Sequence, residues 1–263
     1  MFKFSCVLLV MLPSAVVFGL SRVEARPRKD FAPEQPGKNR TEEGRNVRFS
    51  GALESTGKIE GAVRFIGQTI PHTTMVPVGT DRQYCGPEHS KEDYVIDAAT
   101  RGVRYVIVRL KGKELRNWQH TKPKHLVLDN KNCRFDPHAA VLTVGSTVEI
   151  HNSDKISHTA HAYFAASFNV ALVREGHSVK QVLNMPGLIL IRCDTHGWMN
   201  AFIRVDPHPF HAVSDARGHF EIANVPPGTY TLEAWHERFG VQNTEVVVQA
   251  ERTAKVDLTY DDR

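Results

Sequence analysis

The chain has 263 residues, of which 41% are hydrophobic and 24% charged, and a formal net charge of +4. That length holds one large or two small domains, and the ordinary balance of apolar and charged residues points to a soluble globular body. Much of the positive charge lies in the first fifty residues, so the balance gives no case for nucleic-acid binding.

The sequence opens with a short basic start at Met1–Phe4. An almost wholly apolar run follows from Cys6 to Leu20, and Val23-Glu24-Ala25 offers a small-residue cleavage site. This layout is that of a secretory signal peptide over residues 1–25, with an uncleaved anchor as the alternative. The run is short for a transmembrane helix. Export to the periplasm or cell envelope is therefore expected. Residues 26–55 are rich in Arg, Lys, Glu, Pro and Asn and bury too little apolar surface to offset ordering entropy, so they read as a disordered linker.

From Gly57 the pattern becomes that of an all-β protein. Ile59, Gly61, Val63 and Phe65 alternate with other residues, and Arg104–Leu110 and Leu126–Leu128 read as strands. Residues 67–93 carry Gly, Pro and His together with Cys85 and read as long loops. Ala140–Val144 and Thr147–Ile150 flank a Gly-Ser turn, and a helical turn is the weak reading of residues 172–182. Leu188–Arg192 and Ala201–Val205 flank a short loop that begins at Cys193. Asp206-Pro207-His208-Pro209 marks a boundary. Beyond it Phe210–Ser214, His219–Val225, Thr229–His236, Thr244–Gln249 and Ala254–Tyr260 are short strands. They are spaced by the turns Asp215–Gly218 and Pro226–Gly228, the spacing of a β-sandwich.

That short loop, Cys193-Asp-Thr-His196-Gly-Trp-Met199, carries the most chemistry. A thiolate, an imidazole and a thioether on one turn suit copper: soft sulfur holds Cu(I), imidazole serves both oxidation states, and a thioether completes a mononuclear site. A second imidazole comes from His158, at the end of another strand, with His161 and His138 as further candidates. Zinc is the competing metal for one Cys and two His. No Glu in the run is placed as a general base, so a zinc hydrolase is unsupported. With residues 1–25 removed, Cys85, Cys133 and Cys193 remain of the four cysteines. An exported chain forms disulfides, and an odd count leaves one thiol over. The pairing Cys85–Cys133 leaves Cys193 free beside His196 and Met199; two other pairings are open from sequence alone.

Phe135-x-Pro137, Val144-Gly145, Asn152-x-Asp154 with His158, and Cys193-x-x-His196 with Met199 together resemble a cupredoxin, the plastocyanin-type blue copper family, over residues 125–206. The run Asp129–His138 also resembles a group of bacterial exported plastocyanin-like proteins in which a β segment precedes the copper-type domain. The resemblance implies a Greek-key sandwich, one-electron transfer, and copper ligands His158, Cys193, His196 and Met199. Two residues separate His196 from Met199, where plastocyanin has four; a shorter span changes the approach of the thioether. Entry of His161 or His138 into the site would favour Cu(II) and lower the potential.

Phe210–Ile222 followed by Val225–His236 resembles a carboxypeptidase regulatory-like domain of the transthyretin (prealbumin) type, over residues 207–263. This implies a non-catalytic scaffold. Tyr230, Leu232 and Ala234 share one face of a strand and Thr231, Glu233 and Trp235 the other. That alternation accounts for Trp235-His236-Glu237 without a site. The expected organisation is thus a signal peptide over 1–25 and a linker over 26–55. A cupredoxin-like domain with an N-terminal β extension follows over 56–206, then the second sandwich over 207–263. The expected function is an exported copper protein that transfers single electrons to or from a redox partner protein and is not an enzyme. The second sandwich is expected to provide cell-envelope contact. Copper storage, delivery or sensing, and an adhesion or carbohydrate-binding module, are the alternatives.

Overall fold

The computed structural model describes residues 55–118 and 121–261; the signal peptide and nearly all of the linker expected from the sequence lie outside the described residues. In chain order the elements are β1 (Gly57–Phe65), β2 (Met75–Pro77), α1 (Arg82–Cys85), β3 (Glu88–Ser90), β4 (Ile107–Lys111), a 3-10 turn at Glu114–Asn117, β5 (His125–Lys131), β6 (Arg134–Asp136), β7 (Ala139–Thr143), β8 (Ser146–Asn152) and β9 (His158–Phe164). They continue with β10 (Phe168–Leu172), β11 (Ser178–Leu183), β12 (Gly187–Arg192), β13 (Asn200–Asp206), β14 (His211–Val213), β15 (His219–Val225), β16 (Gly228–His236), β17 (Gly240–Val248), β18 (Thr253–Lys255) and β19 (Leu258–Tyr260). Among the described residues no helix is long and apolar enough to cross a membrane.

Two sheets form the first sandwich, one ordered β10-β9-β12-β13-β7 and the other β11-β8-β5-β6. Strict alternation builds it: along β8, Ser146, Val148, Ile150 and Asn152 are buried and the residues between them less so. Leu128, Phe135, Ile150, Leu172, Ile191 and Ile203 share its core with Cys193, Trp198 and Met199. Parallel ladders join β13 to β7 and β5 to β8, so the chain crosses between sheets rather than meandering. The helical turn expected within residues 172–182 is absent. Ser178–Leu183 pairs residue for residue with β8, from Ser178↔His151 to Leu183↔Ser146, and sheet pairing overrides a weak local preference.

The second sandwich packs β14-β4-β16-β17 against β15-β1-β18, with β19 also on β1. Its core holds Ile59, Val63, Val108, Leu110, Phe220, Leu232 and Val248. The sequence groups the segment before residue 125 with the copper-type half; the ladders place β1 and β4 in the sheets of the second sandwich. The reason is physical. Without β1, strands β15, β18 and β19 lose their ladder partner, and without β4 nothing joins β14 to β16. Strands this short need several neighbours to persist. The turn at Asp215–Gly218 forms as expected: the Asp215 carboxylate accepts the amides of Arg217 at 2.8 Å and His219 at 2.9 Å, and Gly218 adopts a φ of +80°.

The two sandwiches meet over Ile107, Ala139 and Phe202, against which Tyr105, Leu190 and Trp235 pack. His208 and His236 are buried against aromatic residues of the second sandwich's core. Burial holds His208 down at about 4, against the pull of Asp206, and burial aided by the charge of His138 does the same for His236. Both folded values lie below the ordinary ~6.5, so the unfolded chain takes up protons first as pH falls. Stability that these groups leave intact above pH ~6.5 is then lost down to pH ~4, at most roughly 3 kcal/mol for each. The urea midpoint of the metal-free protein is expected to fall between pH 7 and 4.5; an unchanged midpoint would contradict this assignment.

Candidate metal centre

The loop between β12 and β13 is closed by its own backbone. The Cys193 amide donates to the Met199 carbonyl at 3.2 Å, and the Met199 amide donates to the His196 carbonyl at 2.9 Å. This brings Cys193 and His196 to the end of β12. Hydrogen bonding of β9 beside β12 supplies His158 from the adjacent strand start. His158 Nδ1 and His196 Nδ1 stand 3.0 Å apart, and Cys193 Sγ lies 3.6 Å from His196 Nδ1. One donor atom from each of these residues falls within 4.8 Å of the others, and they form the one such His/Cys/carboxylate group among the described residues. All are buried: His158 is 1% exposed, His196 0% and Cys193 4%.

Both imidazoles are held from outside by a carboxylate. His158 Nε2 meets Asp154 Oδ2 at 3.0 Å and His196 Nε2 meets Asp81 Oδ2 at 3.0 Å. A carboxylate on one ring nitrogen fixes the proton there and leaves the other nitrogen's lone pair for a metal. Asp154 is itself braced by the amides of Asn132 and Cys133, each at 2.8 Å, and by the Tyr84 hydroxyl at 3.2 Å. Burial opposes its charge, but the bond to His158 and these two amides outweigh that and keep its carboxyl below the usual range. Asp81 precedes α1 in a left-handed conformation, φ 58°, and does not cap that helix through its side chain. Its carboxylate serves His196 instead.

The electrostatics favour a thiolate. Burial resists charge on both Cys193 and His158. For Cys193, contacts with His158, His196 and the Thr159 amide prevail and lower the thiol to about 5. For His158, Asp154 and the Cys193 sulfur prevail and raise the imidazole to about 9. The Thr159 amide lies 3.4 Å from Sγ as a donor. The two shifts reinforce each other, and both favour an imidazolium beside a thiolate over the neutral pair.

The other residues singled out in the sequence are distributed as follows. Met199 is 2% exposed and packs in the same core as Cys193. His161 is not part of the cluster: three residues from His158 on one strand, it points to the opposite face, where it meets Asp194 at 3.1 Å and Tyr163 at 2.9 Å. Nor is His138, which is buried against Tyr105 and Phe202 and bonds Glu237. Glu237 and Trp235 thus serve packing between the sandwiches. The disulfide is Cys85–Cys133 and Cys193 is free, as the pairing argument expected. Sequence reasoning missed Asp81, which reaches His196 across 115 positions and has no local signal. It quoted Asp154 but not its role.

Residues 198–261 match the carboxypeptidase regulatory-like domain family. The matched span begins within the Cys193–Met199 loop, takes in β13–β19, and omits β1 and β4, which complete the same sheets. No curated protein matches the chain. Among solved structures, a copper-containing nitrite reductase from Thermus scotoductus SA-01 is 22% identical over 32% of this chain and 23% of its own, with a TM-score of 0.29. The chain thus spans under a quarter of that enzyme's length. A purple cupredoxin from Nitrosopumilus maritimus is 20% identical over 32% of this chain and 99% of its own, with a TM-score of 0.28. A point mutant of amicyanin, in its reduced Cu(I) form at pH 4, is 16% identical over 38% of this chain and 98% of its own, with a TM-score of 0.27.

Proposed function

We propose that the chain is an exported mononuclear copper protein that carries single electrons and changes no substrate chemically. The observation that carries this reading is the buried convergence of the Cys193 sulfur with two Nδ1 atoms whose partner nitrogens are already occupied by carboxylates. The donor set fits a metal. Spacings of 3.0 and 3.6 Å are what bonds of roughly 2.0 Å to nitrogen and 2.3 Å to sulfur produce around one ion. Thiolate with two imidazoles, and Met199 in the same core as a weak fourth ligand, favours copper over zinc. A copper ion bound there supplies a Cu(I)/Cu(II) couple. The protein's part is to hold the donors still: Asp154 and Asp81 orient the rings, and the closed loop fixes the sulfur.

Export is supported by the signal-like N-terminus and by a disulfide, which persists in an oxidising compartment. The electron partner is proposed to be another protein or a small redox molecule, and the second sandwich is proposed to contact the envelope. Near-complete burial of both imidazoles speaks against storage or delivery, which need an exchangeable ion.

Two outcomes are expected of the full chain. Voltammetry of the copper-loaded protein should show a reversible one-electron wave; an ion that is lost on reduction would support delivery instead. Metal uptake at pH 7 should release about one proton, from His158 rather than from Cys193, because the thiolate already exists there and the imidazolium must give up Nδ1–H. Calorimetry in buffers of different ionisation enthalpy reads this count. Release of about two protons would show that Cys193 starts as a thiol beside a charged His158.

A further inference from the structure

The metal-binding imidazole of His196 does not reach the surface: it is 0% exposed, and its outer nitrogen is covered by Asp81. Aromatic rings lead away from it in another direction. Trp198 lies 5.1 Å from His196, centroid to centroid, and His89 stacks on Trp198 at 5.4 Å and 16°. Both rings are fixed, since Trp198 Nε1 donates to the Cys133 carbonyl at 2.9 Å and His89 Nε2 meets the Asn132 carbonyl at 3.1 Å. His89 then forms part of the wall of a cavity of about 740 Å³, a size typical of small-molecule sites.

The chemistry of the remaining wall selects a ligand. Tyr84, Tyr105 and Phe135 supply rings, and Arg104 and Lys131 supply positive charge. The Arg104 guanidinium lies over the Tyr105 ring at 4.5 Å, a planar stacking surface with a charge at hand. Of the acids in the wall, Glu92 is paired with Arg134 at 3.5 Å, and Asp136 is the other, so the cations outnumber the acids by one.

We propose that this cavity binds an anionic aromatic electron donor, a carboxylated hydroquinone or catechol in class, with His89 and Trp198 bridging its ring to His196. The proposal rests on the electron-carrier reading of the metal centre. A copper ion held by His158, Cys193 and His196 would accept one electron from the donor ring, Cu(II) becoming Cu(I), while the donor would lose a ring hydroxyl proton to solvent and leave as the one-electron-oxidised ring.

Binding is tested on the metal-free full chain with 2,5-dihydroxybenzoate as the probe, by calorimetry. One saturable site is expected. Affinity should fall at least about tenfold for uncharged hydroquinone and for Arg104→Glu, with Lys131→Glu as a second variant should the first unfold. No saturable binding, or binding indifferent to both charge reversals, overturns the cavity assignment. The bridge is tested on the copper-loaded chain by stopped-flow reduction with the same probe. His89→Ala should slow it at least about tenfold while leaving the copper spectrum unchanged, and His89→Phe, which keeps a ring in the stack, should recover most of the loss. An unchanged rate in His89→Ala overturns the bridge. Failure of the electron-carrier reading shows separately, as a copper spectrum lacking a thiolate band, and leaves the calorimetric result to decide the cavity.

Discussion

Replacing Asp206 with alanine is expected to destabilise the protein by about 3–5 kcal/mol, the cost of removing one partner from a buried ion network. The Asp206 side chain is 0% exposed. It receives Arg109 Nη1 at 3.0 Å, Arg204 Nε at 3.1 Å and, on its other oxygen, meets His211 Nδ1 at 3.2 Å. Arg109 also donates to Glu233 at 2.7 Å, so the network ties β13 of the first sandwich to β4, β14 and β16 of the second. Burial opposes the Asp206 charge, but His211, Arg109 and Arg204 outweigh it and depress the carboxyl. A depressed carboxyl contributes stability above the unfolded value of ~3.9 and loses it as pH falls through the folded one. Asp206→Asn, which keeps an acceptor, should cost less than Asp206→Ala. Urea unfolding reads both; a loss below about 1 kcal/mol in the alanine variant would show that the network adds little.

The second large effect is expected at Asp154. Asp154→Ala should weaken metal binding by roughly 10–100-fold, the usual consequence of losing the group that orients a ligating imidazole. It also strips the acceptor from the amides of Asn132 and Cys133, and that of Cys133 is enclosed: the residue is 1% exposed and sits in a left-handed turn with Asn132. Asp81→Ala should have the smaller effect, because the Asp81 side chain is 34% exposed and water can replace it at His196. Competition with a chelator of known affinity ranks the three proteins. Equal affinity in Asp154→Ala and the parent would show that the imidazole is positioned by other means.

The parts of the fold legible in the sequence are those with local codes. The bounds of His219–Val225 are readable because Phe220 and Ile222 alternate with exposed neighbours between two turns. The loop chemistry is equally local: Cys193, His196 and Met199 fall within one closed turn. What cannot be read is non-local. Ser178–Leu183 has apolar residues at spacings a helix also tolerates, and only the neighbouring β8 decides between the two. β1 carries no mark that it belongs beside β15, where Ile59 faces Ile222. Asp81 lies in an irregular segment fastened over the Cys193–Met199 loop by Cys85–Cys133 and by the stacking of His89 on Trp198. Neither tie has a periodicity to announce it.

The Cys193 sulfur and the imidazoles of His158 and His196 are proposed to hold one copper ion. Visible absorption and electron paramagnetic resonance of the Cu(II)-loaded full chain, beside Cys193→Ala, test it most directly. The parent should show an intense sulfur-to-copper band that is absent from the variant. Copper bound with the same spectrum in both proteins would contradict the assignment.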